Sequence, residues 1–193
     1  MDALIRARLA SRNVNKLREL SALLPGWELE ALNAEDYPPE EGATYYENAA
    51  GKARFGRGLA PADTWVLGED SGLEVAALGG RPGIQSARYA PEGEEAVARL
   101  LGELEGVEDR RARYVCELVA LAPDGRETRG TGVLAGRIAE EPRGSEGFGY
   151  DPVFVPDGEE RTVAELGNAW KRDNSHRARA ARAFLGEAGR LLG

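Results

Sequence analysis

Trp65-Val66-Leu67-Gly68-Glu69-Asp70-Ser71-Gly72-Leu73 decides how the chain is read. An apolar run holding an aromatic and a β-branched residue predicts a buried strand. That strand is expected to stop at the two carboxylates and the Ser-Gly turn signal behind them. In open α/β sheets, ligands bind beyond the carboxyl ends of the strands, so an acid pair placed there can hold a divalent cation or activate water.

Upstream, Leu4 to Ala10 has short-strand character, Ser11-Arg12-Asn13-Val14-Asn15 is turn-like, and Lys16 opens a helix with Leu17, Leu20 and Leu24 on one face. A strand, a small polar loop and a helix start form an anion site: free backbone N–H groups converge there, the helix dipole favours negative charge, and Lys16 adds a full charge. Trp27 to Leu32 alternates as a second strand. A polar loop from Asn33 to Gly42 carries Glu35, Asp36, Glu40 and Glu41. Thr44 and Glu47 then form a capping box, which predicts a helix from Tyr45 to about Leu59 with Lys52 two turns in.

Downstream, Gly79-Gly80-Arg81-Pro82-Gly83 demands a tight, special backbone path, and Arg88 follows it as a candidate phosphate contact. Glu94 to Leu104 reads as a helix. Arg113 to Leu121, a Pro123-Asp124-Gly125 turn and Thr128 to Ile138 read as a long antiparallel hairpin, which breaks any purely doubly wound pattern. The expected fold class is therefore α/β: a mixed sheet with flanking helices, in two lobes around a central cleft, all within one domain spanning 1–193. Gly147-Phe148-Gly149-Tyr150-Asp151-Pro152 alternates glycines with aromatics, a composition suited to a slot where rings stack on a flat base. The short strand Val153 to Val155 follows. The last helix carries Ala180, Phe184, Ala188 and Leu191 as its buried stripe, with Ser175 as its N-cap.

Composition narrows the function classes. With 193 residues the chain can bury a core without metal or disulfide staples, and its single cysteine, Cys116, sits in an apolar run as a core filler. A net charge of −8 argues against a nucleic-acid backbone partner. No apolar run approaches a membrane span, and Met1-Asp2-Ala3-Leu4-Ile5-Arg6 lacks a signal-peptide profile, so a cytoplasmic location with no membrane partner is expected. Of 25 basic residues only Lys16, Lys52 and Lys171 are lysine, and the single histidine is His176. Arginine serves wherever a generic positive charge suffices, so the surviving lysines mark places where a compact ammonium is required.

Five stretches together resemble one family, the non-canonical purine nucleoside triphosphate pyrophosphatases, also called inosine triphosphatases or Ham1-like. They are Ser11-Arg12-Asn13-Val14-Asn15-Lys16; Glu40-Glu41-Gly42-Ala43-Thr44-Tyr45-Tyr46-Glu47-Asn48-Ala49 with Lys52; Glu69-Asp70-Ser71-Gly72-Leu73 continuing through Gly79-Gly80-Arg81-Pro82-Gly83 to Ser86-Ala87-Arg88-Tyr89; Gly147 to Pro152; and Ser175-His176-Arg177. All three lysines and the histidine fall within or beside them.

The resemblance implies Mg²⁺-dependent hydrolysis of ITP, dITP and XTP to monophosphate and pyrophosphate by a homodimer. It places the general base and a metal ligand on Asp70 and a substrate contact on Ser71. It gives phosphate binding to Ser11, Arg12, Asn13, Val14, Asn15, Lys16, Lys52 and Lys171. Base binding falls to Phe148, Gly149, Tyr150 and Asp151, and reading of the base edge to His176 and Arg177. Metal ligation would fall on Asp70, Glu69 and either Glu40 or Glu41, with Glu40 preferred. This chain departs from the family pattern at Arg12, where a small residue is common, and at Glu69, where an Asp is frequent. The competing class is a purine-nucleotide-binding regulator without turnover.

Overall fold

The parallel half of the fold is set by short alternating strands with helical crossovers. β1 (Ile5–Leu9) pairs in parallel with β2 (Trp27–Ala31) and with β3 (Trp65–Val75). β4 (Arg111–Leu121), β5 (Glu127–Ile138) and β6 (Phe154–Pro156) complete one six-stranded mixed sheet in the order β2-β1-β3-β4-β5-β6, with β5 and β6 antiparallel. The computed structural model describes residues 4–91 and 93–192, so Met1 to Ala3 of the expected signal-free start lie outside it. Among the described residues, no helix is long and apolar enough to cross a membrane.

The chain divides into two compact units, Met1–Asp70 with Cys116–Gly132 and Arg177–Gly193, and Ser71–Val115 with Val133–His176. In the first, α1 (Val14–Leu23) and α5 (His176–Leu192) contribute to a core of Leu9, Leu20, Trp27, Trp65, Leu67, Leu118 and Phe184. The rings of Trp65 and Phe184 each lie 5.2 Å from Trp27. The stripe expected on the last helix is this face: Ala180, Phe184 and Ala188 are buried and Leu191 packs against them. A second cluster of Ala49, Ala50, Ala53, Val119 and Leu121 seats α2 (Tyr45–Arg57), whose capping box at Thr44 and Glu47 forms as expected.

Gly68 is what lets α2 come so close. A Cβ there would fall within van der Waals distance of the Ala49 carbonyl oxygen and 2.7 Å from the Ala53 nitrogen. The obstruction is helix backbone, which cannot swing aside as a side chain can. Gly68→Ala is therefore expected to push α2 off β3 and cost about 1–3 kcal/mol. Because α2 carries Asn48 and Lys52, the same variant should lose turnover even where it remains folded, a result that urea melts paired with activity assays would show.

The second unit holds α3 (Gly93–Glu103) and α4 (Val163–Asn174) around a core of Leu73, Val75, Val97, Leu100, Leu134, Ile138, Phe154 and Val163. The glycine-rich turn takes its special path through left-handed Gly79, Gly80 and Gly83, at φ of 64°, 86° and 58°.

One expectation is overturned. β3 does not stop at the acid pair: it continues through Ser71 and Gly72 to Val75 and is followed by a single 3-10 turn, Ala76–Leu78. The Ser-Gly signal loses because the strand is paired and mostly buried on both sides of it, so the ladder overrides local turn preference. The crevice rule holds relative to the parallel neighbour instead. β1 ends at Leu9, opposite Leu67, which leaves Glu69 and Asp70 just past the carboxyl end of β1.

Candidate active site

Within the first unit, Asp70 is the hub of a charged cluster. Its side chain is almost wholly buried. Oδ1 accepts from the Lys52 ammonium at 3.1 Å and Oδ2 from the Asn48 amide at 3.1 Å. Burial raises the Asp70 carboxyl above its ordinary range, although Lys52 and Lys16 pull the other way. Lys52 also donates to the Glu69 carbonyl at 3.0 Å and pairs with Glu40 Oε1 at 2.5 Å. Burial would lower the Lys52 pKa, but Asp70 and Glu40 more than reverse this, so the ammonium stays charged.

Asn48 is the residue that sequence reasoning missed here. One amide joins Asp70 to the acidic loop: Nδ2 donates to the carboxylate while Oδ1 accepts from the Gly42 backbone at 2.9 Å. The signal was available, since Asn48 and Lys52 are four residues apart on one helix and so share a face.

Glu69 stands apart from this cation site. It is fully buried, with Oε1 held by Arg177 Nη2 at 2.9 Å and Oε2 by the Lys16 ammonium at 2.6 Å. Burial alone would raise its carboxyl. Lys16 and Arg177 instead hold it well below the usual range, which makes it a fixed anion with both oxygens engaged. The Cys116 thiol donates to the same Oε1 at 3.3 Å, and burial with the adjacent Glu69 charge raises that thiol well above its normal value, as suits a core filler.

Arg177, expected at the base edge, lies buried in this ion-pair network and also pairs with Glu19. Glu19 gives no sign of this role in the sequence beyond following Lys16 by three helical positions.

The loop before α1 also differs from expectation. The amides of Asn15 and Lys16 are not open: both donate to Asn13 Oδ1, at 2.9 and 3.2 Å, because Asn13 is the helix N-cap. Ser11 in turn accepts from Asn13 N at 3.1 Å. Groups on offer to an anion thus include the side chains of Ser11, Asn13 and Lys16, while the Asn15 and Lys16 amides are taken by the cap. Val14 is exposed. Arg12 turns to the acidic loop, with its guanidinium 5.2 Å from the Tyr37 ring centre and bonded to the Glu35 carbonyl.

Within the second unit a different cluster forms. Asp151 Oδ2 accepts from the Phe148 backbone at 2.9 Å and from the Lys171 ammonium at 2.7 Å, and that ammonium lies 4.4 Å from the Phe148 ring centre. Lys171 is therefore gathered with the aromatic segment. His176 is buried beside Tyr114. Gly149 is left-handed, at φ 62°, with open space where a Cβ would stand. Tyr150 does not present its ring for stacking: it is packed in the core and donates to the Ser86 carbonyl at 3.1 Å. Arg88 is on the surface, bonded to Gln85 at 3.1 Å, and Ser71 is half-buried in β3.

The donor set around Lys52 fits a hard divalent cation. Two carboxylates, from Asp70 and Glu40, and one backbone carbonyl already converge on a positive charge, and oxygen-only coordination of this kind suits Mg²⁺. Glu41 is exposed. No cluster of three His, Cys, Asp or Glu side chains arranged for a metal occurs among the described residues, so substrate oxygens would have to complete the coordination.

The fold is one already seen in solved proteins. The Ham1 protein of Staphylococcus aureus superposes with a TM-score of 0.81 at 34% identity, covering 97% of each chain. A dITP/XTP pyrophosphatase of Mycobacterium abscessus superposes at 0.74 with 40% identity over 94% of this chain and 99% of its own. The Ham1 family profile matches residues 7–187, and the chain belongs to that family. Among curated relatives, the dITP/XTP pyrophosphatase of Deinococcus deserti is 46% identical over 91% of this chain and 86% of its own length. That of Deinococcus radiodurans is 44% identical over 95% and 93%.

Proposed function

We propose that the chain is a Mg²⁺-dependent pyrophosphohydrolase. It would convert dITP, ITP and XTP to the monophosphate and pyrophosphate, acting as a cytoplasmic homodimer that cleanses the nucleotide pool. The carrying observation is the buried Asp70 carboxylate, its oxygens fixed by Asn48 and Lys52. The names of the curated relatives supply the substrate class.

In this reading one nucleotide engages both residue sets. Its phosphate chain meets Lys16, Lys52, Ser11 and Asn13, and its base meets the Phe148, Asp151 and His176 set. Asp70 orients a water molecule and takes its proton as the water oxygen bonds to the α-phosphorus. The bond from that phosphorus to the bridging oxygen breaks, and its electron pair leaves with pyrophosphate. Mg²⁺, held by Asp70 and Glu40, would supply charge neutralisation on the phosphate oxygens. A triphosphate approaching a −8 protein is repelled at long range. A unit charge pair at 4 Å is worth on the order of 4 kcal/mol at an effective dielectric near 20, so two lysines decide the balance locally.

Pyrophosphate release from dITP, ITP, XTP, GTP and ATP is the test. Turnover is expected on the first three, with loss by at least 10²-fold on chelation by EDTA and recovery on adding Mg²⁺. Tight nucleotide binding without pyrophosphate would favour the regulator instead.

A further inference from the structure

The only histidine of the chain lies face to face with a ring that the sequence gives no reason to single out. Tyr114, on β4, stacks on His176 with ring centres 4.5 Å apart and planes within 11°. The Phe154 ring also packs on Tyr114, its centre 4.5 Å away and its plane tilted by 44°. The Tyr114 hydroxyl donates to Asp151 Oδ1 at 3.3 Å, while Asp151 Oδ2 holds the Phe148 backbone and Lys171. Tyr114, Asp151, Lys171 and His176 are each more than nine-tenths buried. Tyr114 thus touches both the imidazole and the aspartate.

We infer that Tyr114 is a positioning residue for purine discrimination, its ring setting the plane of His176 and its hydroxyl setting Asp151. The inference rests on the reading that this set receives the base. A polar pocket rejects the wrong base only if its hydrogen-bonding groups cannot turn to satisfy it, because discrimination comes from a group left unpaired. An imidazole free to rotate about its own Cβ–Cγ bond could pivot toward either a keto oxygen or an amino group. Offset stacking on a rigid phenol removes that freedom, and the phenol is itself packed against Phe154. The hydroxyl extends the restraint to the carboxylate beside Phe148, so the two polar groups move as one body.

The lone histidine makes the claim directly measurable. Its ring C–H signals are unique in an NMR spectrum of the whole protein, and a phenol stacked face to face must displace them upfield. Tyr114→Phe keeps the ring and loses the hydroxyl. The upfield position should persist, and the ratio of kcat/KM for dITP over dATP should fall by no more than about threefold. Tyr114→Leu removes the ring. The signals should return downfield, and the same ratio should fall at least tenfold, through KM, with kcat for dITP within about threefold of wild type.

A ratio unchanged in Tyr114→Leu despite the lost upfield shift overturns the inference, and so does a wild-type spectrum with no such shift. A drop confined to kcat overturns it too, since that would mark a general structural fault. If Tyr114→Leu does not fold, the wild-type and Tyr114→Phe spectra decide, because an unshifted histidine in either is incompatible with the stack. Wild-type protein that leaves dITP intact would refute the proposed function, whereas the spectra would still report on the positioning.

Discussion

Asp70→Asn is expected to lower kcat for dITP by about 10²–10⁴-fold, the range lost when a positioned general base is removed, while the protein stays folded. The substitution is nearly isosteric, so the packing around residue 70 survives. What changes is polarity. Asp70 accepts on both oxygens, from Asn48 and from Lys52. An asparagine can accept on only one, and its amide would face one of those donors. The lost hydrogen bond costs about 1–3 kcal/mol, partly offset because a buried charge has been removed. The variant should therefore show a modest drop in melting temperature, an unchanged far-UV spectrum and almost no pyrophosphate release. Turnover within tenfold of wild type would remove Asp70 from the chemistry.

The buried strand opening at Trp65, the capping box at Thr44 and Glu47, and the buried stripe of the last helix are local patterns, and each appears as read, although the strand runs on past Glu69 and Asp70. Scarcity of lysine also carried information, because Lys16 and Lys52 do flank the acid pair. Failures occur where the deciding contact is distant in sequence. Ser71-Gly72 looks like a turn until pairing with other strands is known. Gly68 looks like a strand irregularity until α2 is laid across it. Tyr114 alternates in its strand like any core aromatic, and only the fold brings it to residues 151 and 176. Glu19 and Arg177 are separated by 158 residues, so their pairing has no local trace.

That last pair leads to the largest expected effect on stability. Four charges form a balanced group in the first unit: Glu69 and Glu19 negative, Arg177 and Lys16 positive. Glu69 and the Arg177 side chain are essentially inaccessible to water, so neither can be rehydrated if its partner is lost. Arg177→Met fills much of the same volume but leaves the Glu69 anion with Lys16 and the weak Cys116 thiol donor, and breaking a buried pair in this way costs about 3–5 kcal/mol. For a chain of this length that corresponds to a fall in melting temperature of roughly 10 °C, read by calorimetry. The double variant Arg177→Met/Glu69→Gln removes the stranded charge and should recover more than half of the loss. A single variant within about 1 kcal/mol of wild type would show that the guanidinium is not needed to hold Glu69. Arg177 was expected at the base edge, and the same proteins separate that role from this one. If the double variant regains stability yet discriminates poorly between dITP and dATP, the guanidinium also acts on the base. If both recover together, Arg177 serves the site only by fixing Glu69, and through it the strand that carries Asp70.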